Sequence, residues 1–241
     1  MTGTILNCIG ILAGAVAGKF MKSPPQRITE AYIRIVLSAF IVFYGLRLTW
    51  ISMNGPFLSI LAQLLLVILS LALGRALGRL LRLQHLSNQL GQFARDRITS
   101  VSPSSPNRLN DGFLTCAALF CAAPLGILGA VQDGLSNYYY PLAAKGVIEA
   151  FAVLGFVRMF GWGAVLSAIP VLAFQGTISI LVRQIEPALA ERALVDPINA
   201  TGGLLVFSVA LVMLDLKKLH LADYLPSLAV APLLAWLVKS F

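Results

Sequence analysis

Two ionisable side chains stand in a stretch where charge is costly. Lys145 and Glu149 are four residues apart in the apolar run Pro141–Phe160, so a helix places both on one face. Glu149 falls two turns inside that run, about 12 Å at 1.5 Å per residue. An isolated carboxylate at that depth costs several kcal/mol, and Lys145 is its nearest expected partner. Such a pair is either a structural bridge, with Lys145 reaching the interface, or a device in which Glu149 binds and releases a proton or cation while Lys145 tunes it. A second polar group, Phe174-Gln175-Gly176-Thr177, interrupts another apolar run. Gln175 lies near its midpoint, and Thr177 and Ser179 add hydroxyls downstream of Pro170, where a kink is expected. An amide, a glycine and hydroxyls at mid-depth suit a polar binding site. They also suit plain interhelical hydrogen bonding, worth about 0.6 kcal/mol per bond in membranes.

A third group closes the list of principal candidates. Pro124 and Gly126 lie inside one apolar run, which ends in Gln132-Asp133-Gly134. Proline removes a helix donor and glycine tolerates non-helical angles. The segment is therefore either a broken helix whose end points into a cavity, or a kinked span with Asp133 in solvent. Asn7 and the stretch Asn199–Gly203 are secondary polar positions near the same end of their runs. No G-x-S-x-G elbow, P-loop, H-E-x-x-H pair or clustered acidic pair is present, so the chain is not expected to be an enzyme. Cys8, Cys116 and Cys121 lie in apolar segments without a C-x-x-C pair, and His85 and His220 are far apart. They imply no disulfide set, metal site or cofactor.

The elements that must position these residues follow from composition. Of 241 residues, 58% are hydrophobic and 12% charged, against roughly a quarter charged in a soluble domain. Mean hydropathy is +0.85. Apolar runs of about 18–20 residues recur along the chain, each long enough to cross a ~30 Å hydrocarbon core. Lipid offers the backbone no partners, so these runs must be helices, and the alternation of barrel strands is absent. The expected spans are Gly3–Phe20, Tyr32–Ile51, Phe57–Gly74 with a basic helical continuation, Gly112–Val131, Pro141–Phe160, Gly163–Val182, Ile198–Leu216 and Tyr224–Val238. This is an all-α polytopic membrane protein of about eight (7–8) transmembrane helices. The polar stretch 84–110, with its Ser102–Pro106 core, reads as a cytoplasmic loop.

Charge orients the chain. With the N-terminus outside, Arg47, Lys145, Arg183, Arg192 and Lys239 fall on outer connections or ends. The other 13 of the 18 basic residues, among them Lys19, Lys22 and Arg27, fall inside. The positive-inside rule favours that orientation. The net charge of +8 thus follows from topology, without the basic-aromatic interleaving of a nucleic-acid surface. The first run lacks a preceding basic segment, so it reads as a retained span and not a cleaved leader.

A repeat is visible. Gly3–Gly14 aligns with Gly163–Phe174 at five identical positions of twelve, and Phe57–Ala62 resembles Tyr224–Ala229. Residues 3–82 and 163–241 form two three-helix repeats around a central helix pair, 111–161, within one membrane domain, 1–241. Five spans precede the second repeat, so it is inverted, as in many transporters. Gly10, Gly14 and Gly18 share one helix face, as do Gly74 and Gly78, and such faces let backbones approach closely.

At these residues the chain resembles a known family. Gln132-Asp133-Gly134, Ala144-Lys145 with Glu149, and Ile169-Pro-Val-Leu-Ala-Phe-Gln-Gly-Thr-Ile178 are similar to the YqgA-like bacterial membrane proteins, domain-of-unknown-function family 554. Gly202-Gly203-Leu and Leu225-Pro226-x-Leu fit as well. Glu149 departs from the pattern, which leads to aspartate. The resemblance implies a bacterial membrane location and supplies no activity. The expectation is an inner-membrane transporter or channel for an ion or small polar solute. Its site would combine Gln132, Asp133, Lys145, Glu149, Gln175 and Thr177. The alternative is a non-transporting scaffold or signalling protein whose basic loop, Arg75–Arg108, meets anionic lipid or a cytoplasmic protein. Partners are then the bilayer and the solute, with a homo-oligomer open.

Overall fold

The structure, a computed structural model, describes residues 1–21, 27–100 and 107–239. Eleven helices follow one another in the described residues: α1 (Thr2–Phe20), α2 (Arg27–Ile51), α3 (Phe57–Leu80), α4 (Leu83–Ser100), α5 (Arg108–Ala122), α6 (Pro124–Ser136), α7 (Tyr140–Phe160), α8 (Gly163–Leu166), α9 (Ala168–Glu191), α10 (Val195–Met213) and α11 (Ser227–Lys239). A 3-10 turn, Leu221–Tyr224, precedes α11, and no strand occurs among the described residues.

The distribution of apolar side chains is that of a membrane protein. On α1, Ile5, Ile9, Leu12 and Val16 are about half exposed, while Asn7, Ile11, Gly14, Ala15 and Gly18 are buried. Large apolar groups thus point outward and small or polar ones inward, the reverse of a soluble surface helix. α3 repeats the arrangement, with Leu58, Leu65 and Ile68 outside and Ser70, Gly74 and Gly78 inside. Lipid is the surrounding that makes both faces favourable. Six helical segments are long and apolar enough to span a bilayer, and the α5–α6 pair, bent by 61°, would make a seventh. The expected eight spans therefore become six or seven by length and apolarity. α7, which carries Lys145 and Glu149, is outside that count.

The chain divides into two compact units. The first comprises Met1–Tyr32 and Leu86–Ile180. Its axis is the α1–α7 pair, which run parallel. A Cβ on Gly10 would strike the carbonyl of Gly146, and one on Gly14 the backbone of Ala150. On Gly18 it would come within 2.6 Å of the Leu154 oxygen. The small face expected on α1 is thus filled by a neighbouring backbone. Cations close one end of the unit. Arg108 donates to the Met159 and Arg158 carbonyls at 2.5 and 2.6 Å, Arg158 donates to the carbonyls of Gly18 and Met21, and Lys19 sits 4.7 Å from the Trp162 ring. These guanidinium groups satisfy the last carbonyls of α7 and α1. At the other end Asn137, in the left-handed region at φ 52°, closes α6. Tyr138, Tyr139 and Tyr140 stack beyond it with ring centroids 4.6–5.0 Å apart.

The second unit comprises Ile33–His85 and Leu181–Phe241. Here α2 meets α10 where Gly45 and Gly203 face each other, and Thr49 Oγ donates to the Ala200 carbonyl at 3.1 Å. α3 meets α11 through Gly74, whose Cβ would lie 2.5 Å from Ser227, while Gly78 abuts the Asp223 carbonyl. Asp223 in turn accepts the Gln84 N–H at 3.0 Å and so caps the start of α4, as an N-cap carboxylate does.

Three expectations need correcting. The segment Gly112–Val131 is not one continuous helix: α5 ends at Ala122 and α6 begins at Pro124 with the chain bent by 61°. Pro170 does not sit inside a continuous helix: α8 ends at Leu166 and α9 starts at Ala168, so the interruption falls at Ser167 and the proline lies in a first turn, where no donor is required. The stretch 84–110 contains a regular helix, α4, whose Arg97 pairs with Asp111 on α5. It lacks an apolar run but carries Leu86, Leu90, Phe93 and Ala94 at helical spacing. The Ser102–Pro106 core and Lys22, with the side chains of Arg27 and Lys239, lie outside the described residues.

Two glycines separate packing from mere flexibility. Gly14→Val is expected to lower stability by about 1–3 kcal/mol through overpacking. Gly155→Ala, with nothing within 4 Å of the added carbon, should be neutral or gain up to about 1 kcal/mol of helix propensity. Thermal midpoints in detergent compare the two.

Candidate functional site

The site is built at a break in a helix. Ala123 adopts an extended conformation (φ −67°, ψ 121°), and Pro124 starts α6. Proline is at home in a first turn because its missing N–H would have had no intrahelical partner. α6 is only 13 residues long and largely buried, so its N-terminus lies within the bundle of the first unit. Gly126, in that first turn, is where other elements converge. A Cβ there would lie 3.2 Å from Gln175 Nε2 on α9 and 3.2 Å from Lys145 Cε on α7.

From this point the polar contacts run outward in a chain. Lys145 Nζ bonds Glu149 Oε1, and the two residues are 2% and 4% exposed. Lys145 therefore does not reach the interface. The Asn7 amide of α1 lies against the Glu149 carboxylate and also donates to Gln175 Oε1 at 3.1 Å. With its oxygen occupied, Gln175 turns its NH2 group toward Gly126. One turn further along α9, Ser179 Oγ donates to the Ala130 carbonyl of α6 at 3.0 Å. Asp133 shares the α6 face of Gly126, two turns away at 100° per residue. Its Oδ2 accepts the Gly3 N–H at 3.0 Å and lies 3.2 Å from the Met1 amino group.

The expected residues divide accordingly. Lys145, Glu149 and Gln175 come together. Asp133 is 1% exposed and tied to α1, so of the two earlier readings the broken helix holds and a solvated carboxylate does not. Gln132 is wholly buried and both of its side-chain polar atoms lack a hydrogen-bond partner, but six residues from Gly126 it faces about 120° away. Thr177 is exposed on the outer face of α9, because two residues along a helix turn a side chain about 200° from Gln175. Ser179, four residues on, occupies the inner face in its stead. Asn7 carries more of the site than its secondary place in the sequence indicated, and Gly126 was seen there only as a breaker. Neither role is legible in one strand of sequence, since both depend on which helix lies opposite.

Buried polar atoms without partners mark what the site lacks. Gln175 Nε2, Thr4 Oγ1, Thr115 Oγ1 and Asp133 Oδ1 belong to this class in the same unit. Native proteins leave few such atoms, and each calls for water, an ion or a ligand. Among the described residues no group of three His, Cys, Asp or Glu is arranged to hold a metal. A buried ion pair flanked by open amides is the chemistry of polar recognition, bought with the desolvation of two charges.

The ion pair makes a testable stability claim. Lys145→Met or Glu149→Leu alone leaves one buried charge uncompensated and should destabilise by about 3–5 kcal/mol. The double replacement should recover most of that loss, read as the coupling in a double-mutant cycle of thermal midpoints.

Comparison with known proteins places these features. The model of a family described as protein of unknown function (DUF554) matches residues 2–236. Over 242 residues the chain is 29% identical to the uncharacterized membrane protein YdfK of Bacillus subtilis strain 168, covering 100% of this chain and 98% of that protein. It is 27% identical over 233 residues to the uncharacterized protein YqgA of Escherichia coli K12, covering 95% and 94%. No solved structure matches the chain.

Proposed function

The chain belongs to this family of proteins of unknown function, and from that premise we propose that it is a small transporter or channel for an ion or small polar solute. The observation that carries the reading is the Lys145–Glu149 pair, buried beside the broken α5–α6 span with the Gln175 amide open toward it. Broken helices and intramembrane charge are how transport proteins offer a polar solute partners at mid-depth. In this reading Gln175 contacts the solute, Glu149 binds or releases a proton or cation, and Lys145 tunes it.

The membrane is the bacterial inner membrane, with the N-terminus and the Tyr138–Tyr140 end outside and the Lys19, Arg108 and Arg158 end in the cytoplasm. The positive-inside rule supports that orientation, as does an aromatic cluster at the opposite end. α7 is then a span despite its charges and α5–α6 another, which gives eight. Two inverted three-helix repeats fit the pairings within each unit: α1 contacts α9 through Asn7 and Gln175, α2 contacts α10, and α3 contacts α11.

Thermal stability of the purified protein across a panel of ions and small polar metabolites tests the site. A ligand at 100 times its dissociation constant should add about 2.7 kcal/mol, and the Lys145→Met/Glu149→Leu double variant should lose that response. A folded wild type that answers to no ligand would favour the scaffold reading instead. The topology has its own test. A reporter fused after Phe241 should read out on the periplasmic side, and a cytoplasmic signal would remove the eight-span arrangement.

A further inference from the structure

We infer that the first turn of α6 is a binding site for a small monovalent anion, such as a halide or short carboxylate, held between Gln175 Nε2 and Lys145. The inference rests on the solute-site reading above and names the class of solute. Three observations converge on the sign of the guest. Gln175 is 0% exposed and its Nε2 has no hydrogen-bond partner. That donor lies 3.2 Å from the position a Gly126 Cβ would take, so it is aimed at the first turn of α6. Its orientation is set by the neighbouring network. Asn7 lies beside the Glu149 carboxylate and donates to Gln175 Oε1, which leaves only the NH2 group of Gln175 facing α6.

Of the three atoms nearest that position, Gln175 Nε2 and Lys145 Cε lie at 3.2 Å and the Phe120 carbonyl oxygen lies further off at 3.8 Å. The Lys145 stem passes 3.2 Å from that Cβ position. The N-terminus of a helix carries roughly half a positive elementary charge and favours anions. Glu149 neutralises the Lys145 charge through their direct bond, so the excess at the turn is fractional and positive. Two buried acceptors of the network, Asn7 Oδ1 and Glu149 Oε2, also lack partners, and the titration below separates a cation held by them from an anion at the turn. Gly126 sets the clearance: a single methyl there would lie 3.2 Å from both neighbours and crowd the position.

The test uses the purified full-length protein in detergent, with thermal midpoints titrated by sodium chloride and sodium formate at constant ionic strength. Sodium gluconate serves as the bulky-anion control for sodium, and formamide as the neutral counterpart of formate. A saturable rise with chloride or formate, absent with gluconate and formamide, supports the site. Gln175→Glu should abolish it, and Gly126→Ala should weaken affinity about tenfold or more, the loss of one charge-assisted contact. Gly155→Ala should respond as the wild type does. Size-exclusion profiles confirm that each variant is folded. If Gln175→Glu does not fold, the Gly126→Ala titration decides. A shift that follows sodium, or one that survives both site variants, overturns the anion assignment. A response to formamide or a cation that Gln175→Glu removes also overturns it, while the solute site itself stands. No response of the wild type to any probe overturns the anion assignment and leaves the solute reading to the wider panel.

Discussion

A polar group carried into hydrocarbon has no water to fall back on, and the first unit is organised by that constraint. Lys145 and Glu149 satisfy each other along one face of α7, and this makes α7 the helix that must be enclosed. α1 encloses it by offering a glycine face so smooth that the two backbones touch. Asn7, on the same helix, then comes within reach of Glu149 and carries the polar network on to Gln175 of α9. Had α1 carried larger residues at positions 10, 14 and 18, the helices would stand further apart and Asn7 would not bridge them. Close packing and polar satisfaction are thus one requirement seen twice.

The break between α5 and α6 belongs to the same account. A continuous helix would spend its own N–H and C=O groups along its length. Pro124 and the extended Ala123 end one helix and start another inside the bundle, which leaves a helix terminus among the buried polar groups. Ser179, by donating to the Ala130 carbonyl, and Asp133, by accepting from Gly3, hold the short α6 at its far end. The broken element is therefore anchored at its far end by two elements of the same unit. Arginine supplies the corresponding closure at the basic end, where Arg108 and Arg158 take the last carbonyls of α7 and α1. Basic residues thus seal helix termini at one end of the unit.

The second unit packs chiefly through small residues and hydroxyls. Gly45 with Gly203, and Gly74 and Gly78 with Ser227 and Asp223, bring backbones together. Hydroxyl-to-carbonyl bonds such as that from Thr49 to Ala200 complete the contacts. Small residues and short side chains suffice there, because weak, numerous contacts hold membrane helices where the hydrophobic effect between them is absent.

Sequence by itself determined that this is an all-α membrane protein, and it located its glycine faces. It also marked Glu149 as costly in lipid, with Lys145 as its partner, and Gln175 as a polar group near mid-depth. Those properties are local: a run of apolar residues, a spacing of four, a charge at a countable depth. What it left open were the choices that depend on a neighbouring helix. Whether Pro124 kinks a span or divides it, whether Asp133 meets water or Gly3, and whether Lys145 extends to the interface or folds back beside Gly126 are all settled by packing. Thr177 and Ser179 are equally polar in the sequence, and only the rotation of α9 against its neighbours puts one outside and the other within. Asn7 became central for the same reason. Its residue type was always visible, but the partners that give an amide its meaning lie 142 and 168 positions away along the chain.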